Sequence, residues 1–174
     1  MVKTGRADLC VIGAGAGGLS VAAGAAQLGA ETVLIEAGRM GGDCLNVGCV
    51  PSKSLLAAGH AAHAAADGQA FGVRPAGWPA IDAGAVRRHV RDVIAGIEPH
   101  DSQDRFEGLG VRVVRTTARF VDPETVEADG ERIRARRFVV ATGSRPAVPP
   151  IPGIDAVGYL TNETIWDLAD IPEH

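Results

Sequence analysis

Two cysteines, Cys44 and Cys49, stand in the run Gly41-Gly-Asp-Cys44-Leu-Asn-Val-Gly-Cys49-Val-Pro-Ser-Lys53. In a regular helix the five steps between them rise about 7.5 Å, while a disulfide wants Cα atoms within about 7 Å. A bridge therefore needs non-helical backbone between them, and Gly48 permits such a turn. Pro51 suits the first turn of a helix, which puts Cys49 at a helix N-terminal edge. The free N–H groups of such an edge favour a thiolate. That suits a poised redox pair better than a structural staple. A metal site would want more ligands, and His60 and His63 follow without a second cysteine pair, so no metal is assigned. Two unrelated buried thiols are the remaining reading. Cys10 lies inside an apolar run and reads as core filling.

The second chemical feature is Gly13-Ala-Gly15-Ala16-Gly17-Gly18. Glycines at this spacing are a weak signal alone, but here a strand precedes, a helix follows and an acid, Glu36, closes the next strand. Gly13 permits the tight turn, Gly15 lets backbone approach a pyrophosphate, and Gly18 lets the helix pack close. The helix N-terminus would hold the anion, and Glu36 would accept hydrogen bonds from ribose hydroxyls. The acid disfavours a 2′-phosphate. FAD and NAD both remain open on these residues.

Elements must position these groups. Asp8–Ile12 and Glu31–Glu36 read as buried strands, with an Ala-rich helix over Leu19–Leu28 closed by Gly29, which makes a βαβ unit. Residues 37–50 read as a Gly-rich loop and Pro51–Ala66 as a helix. Residues 67–80 read as an exposed connection. Val86, Val90, Val93, Ile94 and Ile97 recur at helical spacing, with Asp82 as N-cap and Ile81 able to staple onto Val86. A short helix restarts near Ser102–Leu109. The run Val111–Val121 reads as one strand. Thr125–Ala128 and Arg132–Val140 form a hairpin around Asp129-Gly130. Prolines 146, 149, 150 and 152 then mark an extended connection.

The expected fold class is α/β: a Rossmann-like three-layer nucleotide-binding domain with a parallel sheet and a small antiparallel hairpin layer. The expected organisation is residues 1–146 as the nucleotide-binding segment and 147–174 as a Pro-containing tail. The 174 residues carry a net charge of −4, and basic residues are scattered apart from Arg132-Ile-Arg-Ala-Arg-Arg137. Nucleic-acid binding is not expected. That arginine patch reads as a solvated strand edge. No apolar stretch is long enough to span a membrane, and no export signal is read at the N-terminus. Together with the odd cysteine count, this places the chain in the cytoplasm by expectation. Trp78 and Trp166 read as surface anchors or partner contacts, and His100 receives no role.

The segment Gly41–Lys53 resembles the redox-active segment of the pyridine nucleotide–disulfide oxidoreductases, which include mercuric reductase, dihydrolipoamide dehydrogenase and glutathione reductase. The Ala141-Thr-Gly-Ser-Arg-Pro146 segment resembles a second flavin contact of the same family. The resemblance implies FAD as the nucleotide, held by Gly13, Gly15, Ala16, Gly17, Gly18, Glu36 and Ala37. It extends the cofactor site to Gly41, Gly42, Asp43, Cys44, Gly48, Cys49 and Lys53, to Thr117 and Ala118 beside adenine, and to Ala141, Thr142, Gly143 and Ser144 beside the flavin. It implies Cys49 as the thiol nearest the flavin, Cys44 as the interchange thiol and Lys53 near flavin N5. Asp43 stands where most relatives carry Thr, close to the expected pyrophosphate. The implied activity is transfer of electrons from NAD(P)H through FAD to the Cys44–Cys49 disulfide, then to a disulfide or mercuric-ion acceptor. The full-length parent is expected to be a homodimer. Relatives are far longer, and no second Gly-x-Gly-x-x-Gly follows residue 100. The chain is therefore expected to be an N-terminal segment of a FAD domain, and a nucleotide-binding fragment without turnover is the alternative.

Overall fold

The computed structural model describes residues 4–73, 77–170 and 172. Two compact units are present, residues 1–46 with 97–144, and residues 47–96 with 145–174. The long helical excursion after Asn46 groups with the tail, and the sheet lies in the remaining chain.

The first unit is built on one six-stranded sheet of order β3-β2-β1-β6-β5-β4. Its strands are β1 (Thr4–Ile12), β2 (Thr32–Ile35), β3 (Arg112–Val114), β4 (Arg119–Asp122), β5 (Thr125–Ala128) and β6 (Glu131–Val140). The first four in spatial order are parallel, with Val11 opposite both Leu34 and Val139. β5 and β4 add antiparallel beyond β6. Apolar runs on β1 and β2 are buried on both faces, as a parallel sheet requires. On one face Val11, Leu34 and Phe106 pack with Leu19 and Ala22 of α1 (Ala16–Gln27). Phe106 comes from α5 (Gln103–Gly108), whose N-cap Ser102 accepts from the Arg105 N–H. On the other face Cys10, Val33 and Ile35 share one cluster with Val126, Ala128 and Ile133 of the hairpin strands. Each fully buried Leu, Ile or Phe contributes roughly 1.5–3 kcal/mol.

In β1 the consecutive N–H groups of Asp8 and Leu9 both donate to the Glu31 carbonyl, at 2.8 and 3.1 Å. Ala7, Cys10 and Ile12 pack on the hairpin-side cluster, while Leu9 and Val11 join that of α1.

Three local expectations change. The run 111–121 is two strands: β2 offers β3 only the pairs from Val33–Arg112 to Ile35–Val114, and β4 then pairs with β5 at the opposite sheet edge. The arginine patch is not an edge, because β6 is paired on both sides. Arg132, Arg134 and Arg136 alternate with buried Ile133 and Ala135 and form the solvated face of a central strand. Within residues 37–50 a short helix, α2 (Gly42–Asn46), replaces part of the loop. Asn46 stabilises it by donating from Nδ2 to the carbonyls of Met40 and Gly42, at 3.0 and 2.8 Å. The hairpin is as expected: Asp129 and Gly130 both take positive φ, 51° and 70°, the requirement of a two-residue turn matched to strand twist.

The second unit holds α3 (Cys49–Ala66), α4 (Ala83–Ile97, to residue 96) and the tail. Pro51 and Ser54 are the buried residues of α3. Asp82 caps α4 as expected, its Oδ1 accepting the Ala85 N–H at 2.9 Å. Ile81, the expected staple, is exposed.

Candidate functional site

The carboxyl ends of the four parallel strands, at Ile12, Ile35, Val114 and Val140, gather the glycine loop, the Glu36 turn, Arg115 and the 141–144 segment. The chain fills the sheet outward from β1 through β2 to β3, then returns on the far side of β1 with β6. The reversal lies between β1 and β6, and a crevice at such a point is where open α/β sheets take ligands. There Ala141 donates its N–H to the Ile12 carbonyl at 2.8 Å.

Two of the loop glycines are explained by the protein's own packing. A Cβ on Gly13, whose φ is 105°, would stand 2.2 Å from the Ala141 carbonyl oxygen. One on Gly18 would stand 1.8 Å from the Gly13 carbonyl oxygen. Gly15 is different. It is the N-cap of α1 with φ −80° and ψ −176°, a conformation any residue adopts. A Cβ there would meet only the Gly42 Cα, at an ordinary 3.8 Å. Gly17 meets nothing within 4 Å. Among the described residues no side chain caps α1, and its first turn holds no acid. The helix end is therefore bare backbone, shaped like a cradle for an anion. Gly15 also bridges in parallel to Gly41, so the segment Gly41–Asp43 runs beside the cradle. Gly41 is buried, whereas Asp43 in the first turn of α2 is exposed. These residues fit a dinucleotide pyrophosphate.

Glu36 follows β2 and turns its carboxylate onto backbone. Oε2 accepts the Ala14 N–H and Oε1 the Gly38 N–H, each at 2.5 Å. The acid thus ties the glycine loop to its own turn, with remaining lone pairs open to hydroxyl groups. Arg115 grips the same turn from the other side by donating to the Gly38 carbonyl. Sequence reasoning passed over Arg115 because it sat inside an expected strand; its position just past Val113 and Val114, at the end of the valine-rich run, is its signal. Ala37 is exposed beside Glu36. Thr117 is exposed, and Ala118 packs against the hairpin-side core. Thr142, Gly143 and Ser144 are exposed beyond β6, with Ala141 half-buried. The first unit therefore brings together Gly13 to Gly18, Glu36, Ala37, Gly41 and Gly42, Asp43, Cys44 and Ala141 to Ser144.

The thiols occupy three environments. Cys10 is fully buried, and desolvation pushes its thiol up to about 12; it is core, as expected. Cys44 lies half-buried in α2. Cys49 is exposed and opens α3 in the second unit. α2 ends at Asn46, and Gly48 adopts φ −127° and ψ −111° before α3 begins, so a non-helical break at Val47 and Gly48 separates the cysteines. Lys53 is exposed on α3, one turn past Cys49. His63 makes an edge-on ring contact with Trp78, centroids 5.1 Å apart. No helix among the described residues is long and apolar enough to cross a membrane.

The chain was compared with known proteins. A family profile described as pyridine nucleotide-disulphide oxidoreductase matches residues 7–174. The chain is 34% identical to a mercuric reductase of Lysinibacillus sphaericus over 99% of its own length and 32% of that protein's. It is 36% identical to a dihydrolipoyl dehydrogenase of Thermus scotoductus over 92% of its length and 32% of the relative's. Among solved structures, the HOCl-induced flavoprotein disulfide reductase RclA of Escherichia coli, as a Cu(II) complex, superposes with TM-score 0.73 at 23% identity, covering 94% of this chain and 34% of that one. This last likeness concerns the fold. The chain spans about a third of the length of these proteins.

Proposed function

The chain belongs to the pyridine nucleotide-disulphide oxidoreductase family, and from that premise we propose that its first unit binds FAD and that its cysteine pair is the dithiol of a flavoprotein disulfide oxidoreductase. The observation that carries the reading is the bare N-terminus of α1, where Gly15 has no packing reason to be glycine. Gly15, Ala16 and Gly17 would hold the pyrophosphate through backbone N–H groups. Glu36 and Ala37 would meet the ribose, and Thr117 and Ala118 the adenine. Thr142, Gly143 and Ser144 would line the flavin end with Lys53 and the Cys44–Cys49 segment.

Bound flavin supplies two-electron exchange between a nicotinamide and a dithiol. The chain's own residues do the rest. Gly13 and Gly18 shape the turn that aims the N–H groups. Glu36 fixes the loop through Ala14 and keeps lone pairs for hydroxyls. Asp43 is exposed, and its backbone would serve the cradle. Cys49 at the start of α3 is the accessible thiol. In the whole protein, NAD(P)H would be the donor, a small disulfide or a mercuric ion the acceptor, and a homodimer in the cytoplasm the working form.

Titrating FAD into the apo chain tests the reading. Saturable quenching of flavin fluorescence, competed by ADP, is the expected result. A chain that binds neither would sink the proposal. A second reading, binding without turnover, is favoured by the coverage of about a third of each relative.

A further inference from the structure

The tail returns to the cysteine segment. Trp166 is half-buried, and its indole Nε1–H is shared between the Asn162 carbonyl at 2.7 Å and the Val47 carbonyl at 3.1 Å. Val47 lies between Cys44 and Cys49 in sequence, immediately before Gly48, the N-cap of α3. The donor sits on a built turn. The Thr161 N–H donates to Thr164 Oγ1 at 2.9 Å, the Glu163 N–H to Thr161 Oγ1 at 3.2 Å, and the Ile165 N–H to the Thr161 carbonyl at 3.0 Å. A second anchor lies nearby: Arg87 of α4 donates to the Leu168 carbonyl at 3.3 Å. The tail is thus held at α4 independently of the indole, and the indole reaches the Val47 carbonyl.

Gly48 gives that backbone freedom, and among the described residues no side chain caps α3. In so short a span, the ease of closing a disulfide depends on how far the intervening peptide is held in shape. A hydrogen bond donated to the Val47 carbonyl removes part of that freedom before the bond forms. We propose that Trp166 is a positioning residue for the Cys44–Cys49 couple, its indole N–H holding the Val47 peptide so that the disulfide is favoured over the dithiol. This rests on the reading of Cys44 and Cys49 as a redox pair.

The test compares the 174-residue chain with its Trp166→Phe variant, which keeps an aromatic ring and removes the N–H. Each is equilibrated with glutathione disulfide. The Cys44 Sγ–Cys49 Sγ bond forms, and two electrons and two protons pass to the glutathione disulfide, giving two glutathione molecules. The expected result is an exchange equilibrium shifted about tenfold towards the dithiol, equivalent to about 30 mV for a two-electron couple. An equilibrium within twofold of the unmodified chain overturns the proposal. Labelling of Cys10, fully buried in the fold, reports whether the variant has unfolded. If it has, the decision passes to Trp78→Phe, in which Trp166 is the remaining tryptophan of the two. Emission that changes between the oxidised and reduced pair supports the proposal, and identical emission overturns it. Failure of the unmodified chain to form the disulfide at all would instead remove the redox reading itself.

Discussion

Gly15, the N-cap of α1, and Gly18, in its first turn, sit three positions apart, yet different forces keep them glycine. At Gly18 the Cβ would overlap the Gly13 carbonyl oxygen at 1.8 Å. Gly18→Ala must push the helix off the strand, and we expect a loss of about 2–3 kcal/mol, read as a lowered melting temperature. At Gly15 the space is open within the protein. Gly15→Ala should change stability by less than about 1 kcal/mol and weaken FAD binding by at least about tenfold, equivalent to roughly 1.4 kcal/mol. Calorimetric melting and flavin titration separate the two; a Gly15→Ala chain that binds FAD normally contradicts the cradle. Cys10 gives a third expectation at this scale. With its thiol pushed up to about 12 by burial, the thiolate is absent near neutral pH. Alkylation followed by peptide mass analysis should leave Cys10 unmodified in the native chain and modify it once denaturant is added.

Among the elements, β1 carries the most consequential irregularity. The convergence of its Asp8 and Leu9 N–H groups on the Glu31 carbonyl is braced by the Asp8 carboxylate, which accepts the Glu31 N–H at 3.1 Å and the Arg136 guanidinium at 3.2 Å. The Glu31 backbone bond, then Arg136, hold the Asp8 carboxyl below its ordinary value. A lowered folded value means this contribution is complete above the unfolded value of about 3.9. It is lost as pH falls through the folded value. Thermal melting between about pH 2.5 and 6 should therefore show the unmodified chain more stable than Asp8→Asn at the upper end, with the gap closing towards the acid end. A gap that stays constant with pH would contradict this account. The hairpin turn shows the opposite relation between sequence and structure. Asp129-Gly130 was legible from two residues because positive φ at both positions is a local demand. The split of 111–121 into β3 and β4 was not legible, since partner strands at opposite sheet edges decide it.

For the molecule as a whole, the sheet unit and the helical unit carry different parts of the proposed chemistry. Backbone groups for a dinucleotide lie in the first, and Cys49 and Lys53 lie on α3 in the second. We expect the 174-residue chain to bind FAD without sustained oxidation of NADH or NADPH in the presence of a disulfide acceptor. Steady-state absorbance of the nicotinamide checks this, and continuous turnover by the pure chain would contradict it.

The glycine loop, Glu36, the cysteine spacing and the βαβ order could be read directly from the residue string, because each depends on neighbours a few positions away or on a period of two or 3.6. Other features depend on what lies across the fold. That Gly18 answers to packing and Gly15 does not follows from a carbonyl oxygen close to one and open space beside the other. That the arginines of β6 line a central strand follows from β1 and β5 flanking it. Arg115 on the Gly38 carbonyl and Trp166 on the Val47 carbonyl join residues far apart along the chain. No local pattern encodes such contacts, because they exist only once the sheet order and the tail's return path have been set by burial.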